Sequence, residues 1–99
     1  MEHRCGYRRD VQVEVRVTTR SGLSARARLV EVSGSGARLA ISLSIPVGTI
    51  VNLVFEKVKT AAAKRLRLKA EIVRTTGSGY GLEWLQFAPA DLKLVYQLR

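Results

Sequence analysis

Apolar and polar residues alternate along most of this chain. In residues 11–18, four valines occupy every second position and polar residues fill the positions between them. In residues 23–32 and 65–74, small or aliphatic residues alternate in the same way with arginines and other charged residues. A period of two with β-branched or aliphatic residues on one face is typical of half-buried strands. We therefore predict strands in all three segments.

Three shorter apolar segments complete the predicted set of strands. The third strand begins at Ala37 with ARLAIS, the fourth is the run IVNLVFE at residues 50–56, and the sixth begins at Tyr80 with YGLEWL. Glycine- and proline-containing segments separate the strands, namely TRSGL, SGSG, IPVGT and TTGSG, and such clusters mark turns. We predict that the basic segment 57–64 is an exposed connection between the fourth and fifth strands.

The C-terminal residues change from a period of two to helical spacing. Leu92, Val95 and Leu98 lie three positions apart, and Asp91 near the start and Arg99 at the end suit the helix dipole. Six short strands at regular spacing are typical of a small antiparallel barrel or sandwich. The pattern therefore predicts an all-β domain with one C-terminal helix.

Composition narrows the class of protein. The chain has 99 residues, of which 46% are hydrophobic and 25% charged, as in an ordinary single globular domain. No apolar run approaches the ~20 residues of a membrane span, and the charged N-terminus does not resemble a signal peptide. We therefore predict a cytoplasmic protein.

Candidate chemistry for a metal site or for catalysis is sparse. Cys5 and His3 are the only cysteine and histidine, whereas a closed zinc site uses about four such ligands. The sequence also offers no nucleophile with a base that could orient it. We predict no metal, no cofactor and no enzymatic activity.

Positive charge is the most informative feature of the composition. Seventeen lysines and arginines against eight acidic residues give a net charge of +9, and twelve of the seventeen are arginines. Such a field favours an anionic partner, and arginine favours forked contacts with phosphate or guanine. A small barrel that binds nucleic acid is one interpretation. It is disfavoured because Phe55 and Trp84 lie in predicted core strands, and no predicted strand places paired exposed aromatic residues beside basic ones for base stacking.

Two short motifs point to a smaller ligand. Arg4 and Arg8 stand four positions apart in RCGYR, directly before the first strand, and EVSGSG at residues 31–36 ends the second strand. In this order they resemble the signature of PilZ domains, an RxxxR followed some twenty to thirty residues later by [D/N]xSxxG. GARL and GYGLEWLQF, followed by a terminal helix, are similar to the third strand, last strand and tail of that family. The resemblance covers nearly the whole chain.

This resemblance implies a receptor for cyclic di-GMP on a six-stranded antiparallel β-barrel of the split-barrel type with a C-terminal α-helix. Residues 1–10 would form a flexible N-terminal arm with the RxxxR motif, and residues 11–99 the barrel domain. Arg4 and Arg8 would contact the phosphates or guanines of the ligand. Arg9 either assists them or faces solvent from the first strand.

In the second motif, the resemblance implies that Ser33 hydrogen-bonds the ligand and that Gly36 permits a turn and close approach. The alternative for SGSG is a simple hairpin connection. Glu31 stands where the family has Asp or Asn. Its longer side chain could bind the guanine edge, clash with the ligand, or turn away to pair with an arginine. The alternative function is therefore a PilZ-fold adaptor that binds proteins and has weak or no affinity for cyclic di-GMP.

A receptor without a fused effector requires a partner. The resemblance implies an unidentified signalling or motility protein, in the control of motility, pili or biofilm. The connection at 57–64 and the terminal helix, with Leu94 or Tyr96 exposed, are candidate contacts for a homodimer.

Overall fold

The strands of the chain close into a barrel. The computed structural model describes residues 9–59, 65–87 and 89–97. Its elements are β1 (Arg9–Thr19), β2 (Ser24–Val32), β3 (Gly36–Ala40), β4 (Ile50–Lys59), β5 (Arg65–Thr75), β6 (Gly79–Trp84) and α1 (Pro89–Tyr96). The predicted fold class, a six-stranded β-barrel with a C-terminal helix, is confirmed. Within the described ranges no helix is long and apolar enough to cross a membrane.

All pairings in the barrel are antiparallel, in the order β1-β2-β3-β6-β5-β4. The barrel closes where Arg16–Thr19 of β1 pair with residues 51–54 of β4. Because β6 pairs with β3, this last strand lies directly beside the β2–β3 hairpin. This adjacency positions the candidate site.

The inward faces of the strands form the core, as the alternation predicts. The inward side chains of β5 are fully buried or nearly so: Leu66, Leu68, Ala70 and Ile72. Phe55 and Trp84, predicted core aromatics, are buried as well. From the helix, Leu92 and Val95 join the core, and Leu94 is partly buried against it. Leu94 is therefore less exposed than the sequence suggested, whereas the side chain of Tyr96 lies outside what the structure describes, and the homodimer stays a prediction.

Two strands are longer than predicted. β1 begins at Arg9, so Arg9 and Asp10 are strand residues although they were assigned to the N-terminal arm. β4 continues to Lys59, where it pairs with Arg65, so residues 57–59 belong to a strand and not to the connection, although Lys57 is exposed as predicted. The sequence analysis ended the fourth strand at residue 56, because the apolar pattern ends before Lys57. The rest of the connection, the alanines at 61–63 among it, and residues 1–8 lie outside the described residues.

In the part of the chain that the structure describes, the ladders are interrupted at four places. Three are bulges of one extra residue, in β1 between Asp10 and Val13, in β2 between Leu29 and Glu31, and in β5 between Ile72 and Arg74. The fourth is a register shift in the β4–β5 pair between Phe55 and Lys59. A bulge inserts one residue and shifts the phase of the side chains that follow. Strict alternation after Leu29 and after Ile72 would direct Glu31 and Arg74 inward. The bulges place both on the outer face of the barrel.

Candidate ligand-binding site

The turn of the second motif connects β2 to β3. The Ser33 amide donates a hydrogen bond of 2.8 Å to the Gly36 carbonyl oxygen, and the Ser33 hydroxyl accepts one of 3.2 Å from the Gly36 amide. The Ser35 hydroxyl lies 3.3 Å from that of Ser33. SGSG is therefore a hairpin connection between β2 and β3, the alternative that the sequence analysis gave for it. The Ser33 side chain is half-buried, and its position is defined by its own turn.

Trp84 of β6 holds this turn against the barrel. Its indole Nε1 donates to the Ser33 carbonyl oxygen at 3.0 Å, and its amide donates to the Ser35 carbonyl oxygen at 3.0 Å. A buried tryptophan N–H needs a partner, and here the partner is the motif itself. Sequence reasoning placed Trp84 in the core and missed this second role, which the need to satisfy its N–H could have indicated.

Gly36 is required by the backbone of the neighbouring strand. A Cβ at this position would lie 1.9 Å from the Leu82 carbonyl oxygen and 3.0 Å from the carbonyl carbon. No real side chain tolerates such a contact with backbone atoms. The close packing of β3 on β6 is thus a reason for glycine that the sequence analysis, which expected a turn and ligand approach, did not anticipate.

The start of β1 lies at the same end of the barrel as this turn. Arg9 pairs with Val32, the residue before Ser33, and Asp10 pairs with Glu31. Arg9 is partly exposed. The backbone of Arg9 therefore lies beside the segment that contains Glu31, Ser33 and Gly36, and the ligand-binding roles of these four residues stay predictions. Arg4 and Arg8 lie outside the described residues, and their roles stay predictions.

A row of directly opposed residues crosses the outer face of five adjacent strands, starting beside the Ser33 turn and passing through the middle of the β3–β6 pair. From β1 to β5 it consists of Asp10, Glu31, Arg38, Gly81 and Arg74, and we call it the charged row. Opposed residues of an antiparallel pair have Cβ atoms about 5 Å apart on one face. The row is polarised, because its carboxylates lie on β1 and β2 and its guanidinium groups on β3 and β5.

Glu31 is directed towards the adjacent arginine in this row. Its Oε1 lies 3.9 Å from Nε of Arg38, with 20% of the Glu31 side chain and 46% of the Arg38 side chain exposed. Of the three alternatives for Glu31, the structure shows the pairing with an arginine. An exposed pair contributes only ~0–1 kcal/mol, so a ligand with better partners for both groups can replace it.

Three members of the charged row were missed by the sequence analysis: Asp10, Arg38 and Arg74. Glu31 and Arg74 each interrupt an apolar face at the position where a bulge occurs. A charged residue in the apolar phase of a strand is the signal that could have revealed the bulges. Arg38 offered no such signal, because an outward arginine on a strand is ordinary.

The fold and the polarised row define the chain as a small antiparallel barrel with a candidate ligand site beside its β2–β3 turn. The family model of the PilZ domain matches residues 2–98 of the sequence, and the chain therefore belongs to the PilZ family. No curated protein matches the sequence significantly.

Two solved structures share the fold. The crystal structure of the PilZ domain of CeSA from a cellulose-synthesizing bacterium superposes with a TM-score of 0.68 at 17% identity, over 93% of this chain and 94% of that one. The structure of the Bacillus subtilis inhibitor of motility (MotI/DgrA) has a TM-score of 0.73 at 18% identity, over 97% of this chain and 49% of that one. At these identities the likeness concerns the fold.

Proposed function

We propose that this protein is a receptor for cyclic di-GMP that relays the level of this bacterial second messenger to a partner protein in the cytoplasm. The observation that supports the proposal best is the pairing of Arg9, the residue that directly follows RxxxR in the sequence, with the residue before the second motif's turn. The chain that follows RxxxR enters β1 at Arg9, opposite Val32, and Val32 leads directly into the turn of the second motif. Membership in the PilZ family points to the same ligand.

The covalent distance to the motif arginines is compatible with this role. Arg8 directly precedes Arg9, and Arg4 is five residues from it. Five residues of fully extended chain span at most ~18 Å, and an arginine side chain adds to that reach. Both guanidinium groups can therefore reach a ligand that lies on the Ser33 turn.

The chemistry of the charged row also suits a guanine nucleotide. The N1–H and N2–H₂ edge of guanine donates hydrogen bonds, and the carboxylates of Asp10 and Glu31 can accept them. Phosphate oxygens accept forked hydrogen bonds from guanidinium groups. A ligand with donor edges and anionic groups fits a row that is acidic at one end and basic at the other.

Isothermal titration calorimetry with cyclic di-GMP tests the proposal, with GTP and GMP as controls. We expect saturable binding of cyclic di-GMP alone, weakened at least about tenfold by Arg4→Ala and by Arg8→Ala, as expected for loss of one charge-assisted contact. Arg20→Ala is the matched control, because Arg20 is exposed in the turn after β1, at the other end of that strand. Absence of saturable binding, or an equal loss in all three variants, would refute the receptor proposal.

The second candidate function is a PilZ-fold adaptor without ligand binding, and the contact between Glu31 and Arg38 favours it. In such an adaptor, Glu31 would serve only as a partner of Arg38. Glu31→Asp restores a residue of the family pattern and shortens the side chain by one methylene. If the receptor proposal is right, both the wild type and Glu31→Asp bind cyclic di-GMP. If the adaptor proposal is right, the wild type does not bind it.

A further inference from the structure

Arg74 is directed across the neighbouring strand of the barrel. It is opposed to Gly81 of β6, and Arg38 is opposed to the same glycine from the other side. A Cβ at Gly81 would meet Cζ, Cγ and Nε of Arg74 at 2.8, 3.0 and 3.0 Å. The Arg74 side chain therefore lies over Gly81, between its own strand and Arg38.

The bulge in β5 produces this arrangement. Val73 is the extra residue between Ile72 and Arg74, and it moves Arg74 out of the apolar phase. Bulges re-aim side chains and are frequent next to functional sites. Glycine at position 81 then leaves the space that the arginine occupies. Two separate features, a bulge and a glycine, thus bring a second guanidinium group towards Arg38.

The charge at this end of the row is not balanced locally. Glu31 lies within ion-pair distance of Arg38, and among the described residues no carboxylate lies within that distance of Arg74. The Arg74 side chain is directed towards the strand that carries Arg38, whereas Nε of Arg38 lies on the side of Glu31. Two like charges on neighbouring strands of an exposed face repel, and an anion above them relieves that repulsion. A phosphate group has the geometry that guanidinium groups recognise.

We infer that Arg74 and Arg38 form a phosphate subsite on the outer face of the barrel, continuous with the Ser33 turn. The inference rests on the proposed function, since it assigns this subsite to a phosphate of the cyclic dinucleotide. Neighbouring strands are ~4.8 Å apart. A guanidinium group over β6 is therefore about two strand spacings, or ~10 Å, from Glu31 on β2. A ligand with two bases and two phosphates extends from the acidic to the basic end of the row.

Calorimetry with cyclic di-GMP on two variants tests the subsite. Arg74→Ala removes the guanidinium group, and we expect affinity to fall about tenfold. Gly81→Ala keeps every charge and displaces the Arg74 side chain, so we expect a smaller but clear loss. The matched control is Arg26→Ala, because Arg26 is an exposed arginine on the outer face of β2, towards the other end of that strand. Equal affinities of Arg74→Ala and Arg26→Ala would overturn the inference.

A second measurement separates this inference from the proposed function. The Nε–Hε signals of the arginines can be followed by NMR in the wild-type protein during titration with inorganic pyrophosphate. We expect a saturable shift of the Arg74 signal and no saturable shift of the Arg26 signal. If cyclic di-GMP fails to bind while the Arg74 signal responds, the receptor proposal is wrong and the anion subsite stands. If cyclic di-GMP binds and neither the variants nor the signal responds, the subsite is wrong and the receptor proposal stands.

Discussion

Gly36 and Gly79 stand at opposite ends of the β3–β6 pair, and at each of them an added Cβ would lie 1.9 Å from a carbonyl oxygen of the other strand. Each end also has an aromatic residue of β6 that binds a loop. At the Ser33 end, Trp84 binds the turn of residues 33–36. At the Tyr80 end, the Tyr80 hydroxyl accepts a 2.8 Å hydrogen bond from the Ile45 amide and donates one of 3.0 Å to the Leu43 carbonyl oxygen.

The two ends share this frame and differ in their charge. The Ser33 end carries the second motif of the family and the acidic half of the charged row, and the basic half of the row begins at the middle of the β3–β6 pair. At the Tyr80 end, residues 41–49 contain no charged residue, and Leu43 and Val47 are exposed at 39% and 57%. A glycine packed against a backbone carbonyl and an aromatic side chain that hydrogen-bonds a loop occur at both ends of the pair. These features therefore stabilise the barrel and do not by themselves mark a binding site. The candidate site is defined by the charged groups that one end adds to them.

The largest expected effect is on stability and concerns the two glycines, Gly36 and Gly79, at the ends of the β3–β6 pair. Gly36→Ala and Gly79→Ala should each lower the free energy of unfolding by about 3 kcal/mol, because backbone atoms must move to admit the methyl group. Urea unfolding measures the change. Gly77→Ala is the control, because an added Cβ there meets nothing within 4 Å, and it should change stability by less than ~0.5 kcal/mol. Equal stability of Gly36→Ala and Gly77→Ala would show that the two strands are not as close as described.

The aromatic residues should separate stability from binding. Tyr80→Phe leaves the Leu43 carbonyl and the Ile45 amide without their partner, and Trp84→Phe does so for the Ser33 carbonyl. Each substitution should lower the free energy of unfolding by about 2 kcal/mol. Unfolding is followed by circular dichroism, because Trp84 is the only tryptophan and Trp84→Phe removes the fluorescence probe. We expect only Trp84→Phe to weaken binding of cyclic di-GMP. Equal affinities of the two variants would contradict the assignment of the site to the Ser33 end.

Two carboxylates on the outer face form a matched pair for the smallest effects. Glu56 lies 3.3 Å from Arg16 and Glu31 lies 3.9 Å from Arg38. Glu56→Gln and Glu31→Gln should each change stability by less than ~1 kcal/mol, as exposed ion pairs do. Calorimetry should show that Glu31→Gln alone weakens ligand binding, by about tenfold. Equal affinities for the two variants would exclude Glu31 from the site.

The alternation of apolar residues predicted the first, second and fifth strands, because one face of each is buried in a single core. Short apolar segments bounded by turn residues predicted the other three. In β5 the pattern holds from Leu66 to Ile72 and predicts the strand correctly. It fails at Arg74, because a bulge shifts the phase and alternation alone does not encode where the ladder is interrupted.

The candidate site was predictable only where a local motif marks it. Ser33 and Gly36 lie within four residues of each other, and the family resemblance identified both. The charged row depends on the register of five strands, and Arg38 and Arg74 are far apart in the sequence. Register follows from the packed barrel as a whole. Neither the row nor the bond from Trp84 to the Ser33 carbonyl could be read from one segment.

The most direct test of the central claim is to map amide chemical shifts during titration of the protein with cyclic di-GMP. The account predicts saturable shifts for Ser33 and Gly36 at the Ser33 end and for Glu31 and Gly81 in the charged row, and unchanged signals for the loop at residues 43–45 held by Tyr80. Saturable shifts confined to the Tyr80 end, or no saturable shift at any position, would contradict it.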